Sequence, residues 1–247
     1  MTSGKKVNPD KVRMAEETLK NANKEYRNEA VFTSSFGAED MVITHMISSL
    51  RLDIQIATID TGRLPQPTYD LMDNTSQHYG IVLHTYFPER EAVEDMVREK
   101  GVNLFYHSQE NRKLCCNIRK VEPLGRLLAG KKAWITGIRS SQNNFRQNMK
   151  RIENDESRNV VKVNPIIDWD SHDVWNYIHE NGIPYNKLHD QGYPSIGCGP
   201  CTRAIKAGED ERAGRWWWES DIKECGLHVP EIKENTERNT YSPKGVS

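Results

Sequence analysis

Short apolar runs rich in β-branched residues alternate with amphipathic stretches through most of the chain. "AVFTSS" (30–35), "DIQIATID" (53–60), "IVLHTY" (81–86), "KAWITGI" (132–138) and "VVKVNPI" (160–166) read as strands. Residues 9–27, 41–50, Tyr69 to Tyr79, 89–101, 115–128 and 171–182 carry helical periodicity. In the first of these, Val12, Ala15, Leu19, Ala22 and Tyr26 fall on one face behind Pro9. Such alternation predicts an α/β fold, a mostly parallel sheet with helices on both faces. Ligands of such sheets sit beyond the carboxyl ends of the strands, which singles out the loops after Ser34, Asp60, Tyr86 and Ile138.

From about residue 184 Gly, Pro and charge rise and periodicity fades. The expected organisation is an α/β domain over 1–205, a C-terminal segment over 206–230 folded against it or mobile over it, and a disordered polar tail over 231–247. The 247 residues suffice for an ordinary core without cross-links. The 34 basic and 35 acidic side chains leave a net charge of −1, so no overall field gathers polyanions, and no nucleic-acid partner is expected. "MTSGKKVNPD" is polar, which predicts neither signal peptide nor membrane span and a cytoplasmic protein. Oligomeric state is not legible, and a homo-oligomer stays open.

"TSSFGAED" (33–40) joins the first strand to a helix. Ser34 and Ser35 offer hydroxyls, Gly37 permits a tight turn, and the helix start presents free N–H groups, a combination suited to phosphate or sulfate. Asp60, Thr61 and Arg63 in "IDTGRLPQPTY", and Gly137, Arg139 and Arg146 in "ITGIRSSQNNFR", end neighbouring strands and are expected on the same rim.

The five cysteines divide into an adjacent pair (Cys115, Cys116), a C-x-x-C (Cys198, Cys201) and a lone Cys225. Four thiolates could hold zinc or an iron–sulfur cluster. Adjacent thiolates are awkwardly placed for one tetrahedral ion, whereas a [4Fe–4S] cluster offers separate corners, and the spacing favours the cluster. Arg119 and Lys120 follow the pair, and on a helix Lys120 lies one turn beyond Cys116. There it would offset cluster charge and face an anionic substrate. Cys225, in "KECGLH", has Lys223 and His228 near enough to favour a thiolate, and is a candidate nucleophile.

"SSFGAED", "IDTGR", "CCNIRK", "ITGIR", "GYPSIGCGPCTR", "RAGRWW" and "ECGLH" follow one another between residues 30 and 228. In these motifs the chain resembles bacterial assimilatory sulfonucleotide reductases of the iron–sulfur type, the adenylyl-sulfate (APS) reductases. The resemblance implies a fold like the PP-loop adenine nucleotide α-hydrolases, with a shortened phosphate loop. It implies Cys115, Cys116, Cys198 and Cys201 as ligands of a [4Fe–4S] cluster and Cys225 as nucleophile, with His228 and Lys120 in the catalytic set. Lys120, Arg146, Arg212 and Arg215 would meet the phosphosulfate, with Arg139 an alternative to Arg146. Ser34, Ser35, Gly37, Asp40, Thr61 and Gly137 would surround the nucleotide. The implied activity is reduction of APS to sulfite and AMP through an S-sulfocysteine, with thioredoxin or glutaredoxin as electron donor. The 3′-phosphorylated nucleotide PAPS is the alternative substrate. A more distant rival is an ATP-dependent PP-loop enzyme with a structural zinc site. The three tryptophans Trp216, Trp217 and Trp218 read mainly as packing of the C-terminal segment.

Overall fold

A computed structural model of the chain describes residues 6–142 and 146–219. Cys225, His228 and the expected tail at 231–247 lie outside the described residues.

Among the described residues, seven α-helices and six strands follow in the order α1 (Pro9–Tyr26), β1 (Ala30–Thr33), α2 (Ala38–Ser49), β2 (Gln55–Ile59), α3 (Gln66–Tyr79), β3 (His84–Tyr86), α4 (Arg90–Lys100), α5 (Gln109–Cys116), α6 (Glu122–Leu128), β4 (Ala133–Ile135), β5 (Ile152–Asp155), β6 (Val160–Val163) and α7 (Ser171–Asn181). The sheet order is β3-β2-β1-β4-β6-β5, parallel throughout except for β5, which pairs antiparallel with β6. β5 is absent from the sequence reading because "IEND" offers one apolar residue and no alternation. It caps an otherwise parallel edge, a common device in such sheets.

Period-two alternation of side chains sorts the core. Phe32 and Ile135 pack with Leu19, Met41, Ile43, Trp169 and Ile178 under α1, α2 and α7. Val31 and Trp134 face the other way, against Leu124, Leu127 and Leu128 of α6. β1 thus has β2 and β4 as neighbours, connected in opposite directions. The crevice at their carboxyl ends is the switch point at which ligands of this architecture bind.

Two helices differ from the sequence reading. α3 starts at Gln66 and not Tyr69, since Pro67 sits in the first turn, where a missing N–H costs nothing. The helix expected over 115–128 begins at Gln109, where the Ser108 hydroxyl accepts from the Asn111 N–H at 3.2 Å, and is broken in the middle. Residues Asn117–Val121 form one π-turn before α6 resumes at Glu122. Pro123, with no N–H to return to the preceding turn, sits where the helix resumes.

Candidate active site

A cavity of about 210 Å³ opens at the β1/β4 switch point. Its floor is the β1–α2 turn. Phe36, not Gly37, adopts the left-handed conformation there (φ +60°); its ring is buried in the core and holds the turn down. Gly37 is the extended N-cap of α2, so the tight-turn role expected of it belongs to its neighbour. The Ser34 hydroxyl accepts from the Phe36 N–H at 3.2 Å. The Ser35 N–H and hydroxyl both donate to Asp40 Oδ2, at 2.6 and 2.7 Å. Burial pushes the Asp40 carboxyl up to about 6; the two Ser35 bonds and Arg146 oppose the rise and Glu39 adds to it.

Gly137, beyond β4, is where this strand end meets the start of α2. A Cβ there would overlap the Asp40 carboxylate and crowd Glu39. Glu39 pairs with Arg139 at 2.7 Å and accepts from Gln142 at 3.0 Å. Burial alone would raise its pKa, but Arg139 and these bonds outweigh that and hold it below the ordinary carboxylate value. Arg139 also reaches Glu211 at 3.4 Å. The cavity wall instead carries Arg146, buried and donating to Gln142. Of the two arginines left open by the sequence, Arg146 is the one beside the cavity.

Ser34, Ser35, Gly37, Asp40, Thr61, Gly137, Lys120, Arg146, Arg212 and Arg215 all line this one space. Arg63, expected on the same rim, turns away. It donates to the Val102 carbonyl and Asn103 Oδ1 at 3.0 and 2.9 Å and lies over Phe105. The loop after Tyr86 does not reach the cavity.

Next to it, Cys115, Cys116, Cys198 and Cys201 line a second, smaller cavity walled by Phe105 and Trp216 and rimmed by Arg112, Arg119 and Lys120. Lys120 lines both spaces. The Thr61 hydroxyl lies 3.2 Å from Cys198 Sγ, and Arg119 donates to the Thr61 carbonyl at 2.7 Å, which ties the second strand's loop to the cysteines. Burial pushes the Cys201 thiol up to about 12, reinforced by Cys198. Burial also opposes ionisation of Cys198, but Lys120, Thr61 and Arg215 overcome it and hold that thiol below its ordinary value. Four thiols around one apolar-walled space ringed with cations suit a thiolate-ligated cluster. Among the described residues no three His, Cys, Asp or Glu side chains form a group that could hold a single metal ion.

The segment after Cys201 closes this side. Arg203 N–H donates to Gly214 O, Trp216 N–H to Cys201 O, and Arg215 pairs with Thr202 in a one-residue antiparallel bridge. The Arg215 guanidinium lies against Gly197, where any Cβ would overlap it, and 4.7 Å from the Trp216 ring. Arg112 approaches the same ring at 4.7 Å and forms a buried pair with Glu219 at 2.7 Å.

Residues 29–204 match the phosphoadenosine phosphosulfate reductase domain. The chain belongs to that family. It is 51% identical to the adenosine 5′-phosphosulfate reductase of Allochromatium vinosum over 82% of this chain and 79% of that protein. It is 52% identical to the enzyme of the same name from Rhizobium meliloti, over 82% and 77%. A phosphoadenylyl-sulfate (PAPS) reductase of Candida auris, solved with phosphate, superposes with a TM-score of 0.65 at 35% identity, over 75% of this chain and 88% of that one. The FMN adenylyltransferase of Candida glabrata, at 17% identity, TM-score 0.56, and 76% and 60% coverage, shares the fold alone. The expected PP-loop-like architecture is borne out.

Three residues of this family member's site escaped the sequence reading. Glu39 was quoted within "SSFGAED" but its hold on Arg139, a hundred residues on, leaves no local trace. Arg112 sits in an ordinary helical run and gains meaning only from Glu219. His189 lines the switch-point cavity against Trp175, with neither ring nitrogen hydrogen-bonded, and burial holds its pKa below the ordinary value against the opposing pull of Glu39 and the Tyr193 backbone. A lone histidine in a Gly-rich loop carries no pattern.

Proposed function

We propose that this chain reduces APS to sulfite and AMP. The supporting observation is that the switch-point cavity and the four-cysteine cavity meet at Lys120. A nucleotide seated over Ser34, Ser35 and Gly137 would present its phosphosulfate to Lys120, Arg146, Arg212 and Arg215. Fixed cations there stabilise the charge that develops on the departing phosphate. Cys225 supplies the nucleophile: its thiolate attacks the sulfur, the S–O bond to phosphate breaks, AMP leaves, and an S-sulfocysteine remains. His228, three residues on, is assigned to favouring that thiolate. Cys115, Cys116, Cys198 and Cys201 would hold a [4Fe–4S] cluster, which when bound supplies local charge and rigidity. Residues 206–230 then act as a catalytic segment carried by the domain over 1–205.

The other four cysteines are committed, so release of sulfite needs an external dithiol, of the thioredoxin or glutaredoxin type, in a cytoplasmic setting. No described helix is long and apolar enough to cross a membrane. APS is preferred to PAPS because relatives near 50% identity over four fifths of the chain carry the APS reductase name. The likeness to a PAPS reductase keeps the 3′-phosphorylated nucleotide as the second reading.

The test is Lys120→Ala against Lys120→Arg in anaerobic protein. The alanine variant is expected to keep its iron and its visible spectrum while kcat/KM for APS falls about a hundredfold or more, with partial recovery in the arginine variant. A normal kcat/KM in Lys120→Ala would remove Lys120 from the mechanism.

A further inference from the structure

Above the C-x-x-C turn lies an aromatic face that neither cavity uses. Tyr106 and Trp217 are 44% and 39% exposed, and Val102, four residues before Tyr106, is 54% exposed. Trp218 lies 4.5 Å from the Tyr106 ring and 4.8 Å from the Trp217 ring, and Tyr106 and Trp217 are 6.4 Å apart. The face is held rigidly. The Tyr106 hydroxyl donates to the Pro200 carbonyl, inside the C-x-x-C turn, at 2.7 Å. Arg63 grips the Val102 carbonyl and Asn103 from below. In the chain, Trp217 lies between buried Trp216 and Glu219, which pairs with Arg112. A fixed, outward-facing Trp and Tyr with an apolar neighbour is the composition of a binding anchor, since rigid aromatics lose little entropy on contact.

The position of the patch names its occupant. Cys225 is six residues beyond Glu219, about 20 Å of fully extended chain at most. A protein that attacks the sulfur of Cys225 therefore works within about 20 Å of Glu219, a reach that takes in Trp217 and its neighbours. We propose that Val102, Tyr106 and Trp217 form the docking surface for the dithiol reductant, a small protein with an apolar rim beside its reactive thiolate. This inference rests on the S-sulfocysteine reading given above. The docked thiolate attacks Cys225 Sγ, the S–S bond to the sulfonate breaks, and sulfite leaves with the bonding pair. The partner's second thiol then resolves the mixed disulfide, leaving an oxidised partner and a free Cys225 thiolate. The dithiol loses two electrons and the transferred sulfur gains them.

The experiment uses anaerobic holoenzyme bearing Val102→Asp or Val102→Lys, both outside the catalytic segment over 206–230. Three readings are taken: adduct formation from APS without thiol, sulfite release by thioredoxin over a concentration series, and release by dithiothreitol. The expected result is unchanged adduct formation, unchanged release by dithiothreitol, and a KM for thioredoxin raised about tenfold or more. An unchanged KM for thioredoxin in both variants would overturn the proposal. So would equal losses with both thiols, which would make the patch packing for the segment. A wild-type dimer dissolved by either variant, with thioredoxin KM intact, would give the face to a second copy of this chain. Failure of the wild type itself to form the adduct would defeat the underlying reading first.

Discussion

Asp40 sets the shape of the β1–α2 turn by accepting both Ser35 donors. Its folded pKa, about 6, lies above the ordinary 3.8. Between those values the folded chain holds a proton that the unfolded chain has lost. Stability therefore falls as pH rises through that window, and the ionised, fully hydrogen-bonded form dominates above it. Affinity for APS, measured calorimetrically on a Cys225→Ser variant, is expected to weaken several-fold from pH 7.5 to pH 5 and to be flat across that range in Asp40→Asn. A flat profile in the parent would separate the Asp40 charge from nucleotide binding. Gly137→Ala pushes a methyl into this held carboxylate and is expected to cost about 1–3 kcal/mol in denaturant unfolding. Ser34, Ser35 and Gly137 were legible because hydroxyls and glycine at strand ends have a local logic. The Glu39 contacts were not, because they depend on Arg139 and Gln142 beyond β4, a hundred residues on, and nothing local in either segment reports it. The same holds for Arg139 and Arg146, equivalent in sequence and separated only by Glu39.

At the level of elements, the π-turn between α5 and α6 brings Lys120 to the junction of the two cavities, where a regular helix was expected to place it one turn beyond Cys116. The segment after Cys201 is tied to the domain in part by the buried Arg112–Glu219 pair. Removing one partner strands the other charge, at a cost of about 3–5 kcal/mol. Glu219→Ala is expected to speed hydrogen exchange at residues 212–218 by at least a hundredfold while α1 and α2 keep their protection. Uniform acceleration would show that the pair supports the whole domain. Strands and most helices could be read from periodicity, because β-branched runs and apolar stripes follow from burial against a sheet. The antiparallel β5 and the π-turn could not. One has too few apolar residues to show a period, and the other comes from a mid-helix proline whose local effect is not a pattern.

For the molecule as a whole, six strands place three loops on one rim and draw the cysteines of α5 and of the C-x-x-C turn together across some eighty residues of chain. Anaerobic protein is expected to carry about four irons per chain with broad visible absorbance. One zinc and no colour would replace the cluster with a structural ion. The mostly parallel sheet and the grouping of the four cysteines were anticipated by alternation and by spacing; the strand order was not. The preference between APS and PAPS was not, since no local motif carries it. The measurement that bears most directly on the proposed reaction is the mass of the Cys225 peptide after anaerobic protein meets APS, and separately PAPS, with no thiol present. A sulfonate adduct on Cys225, formed faster from APS and lost on adding thioredoxin, is the expected result. A protein that retains its cluster and gains no adduct from either nucleotide would contradict it.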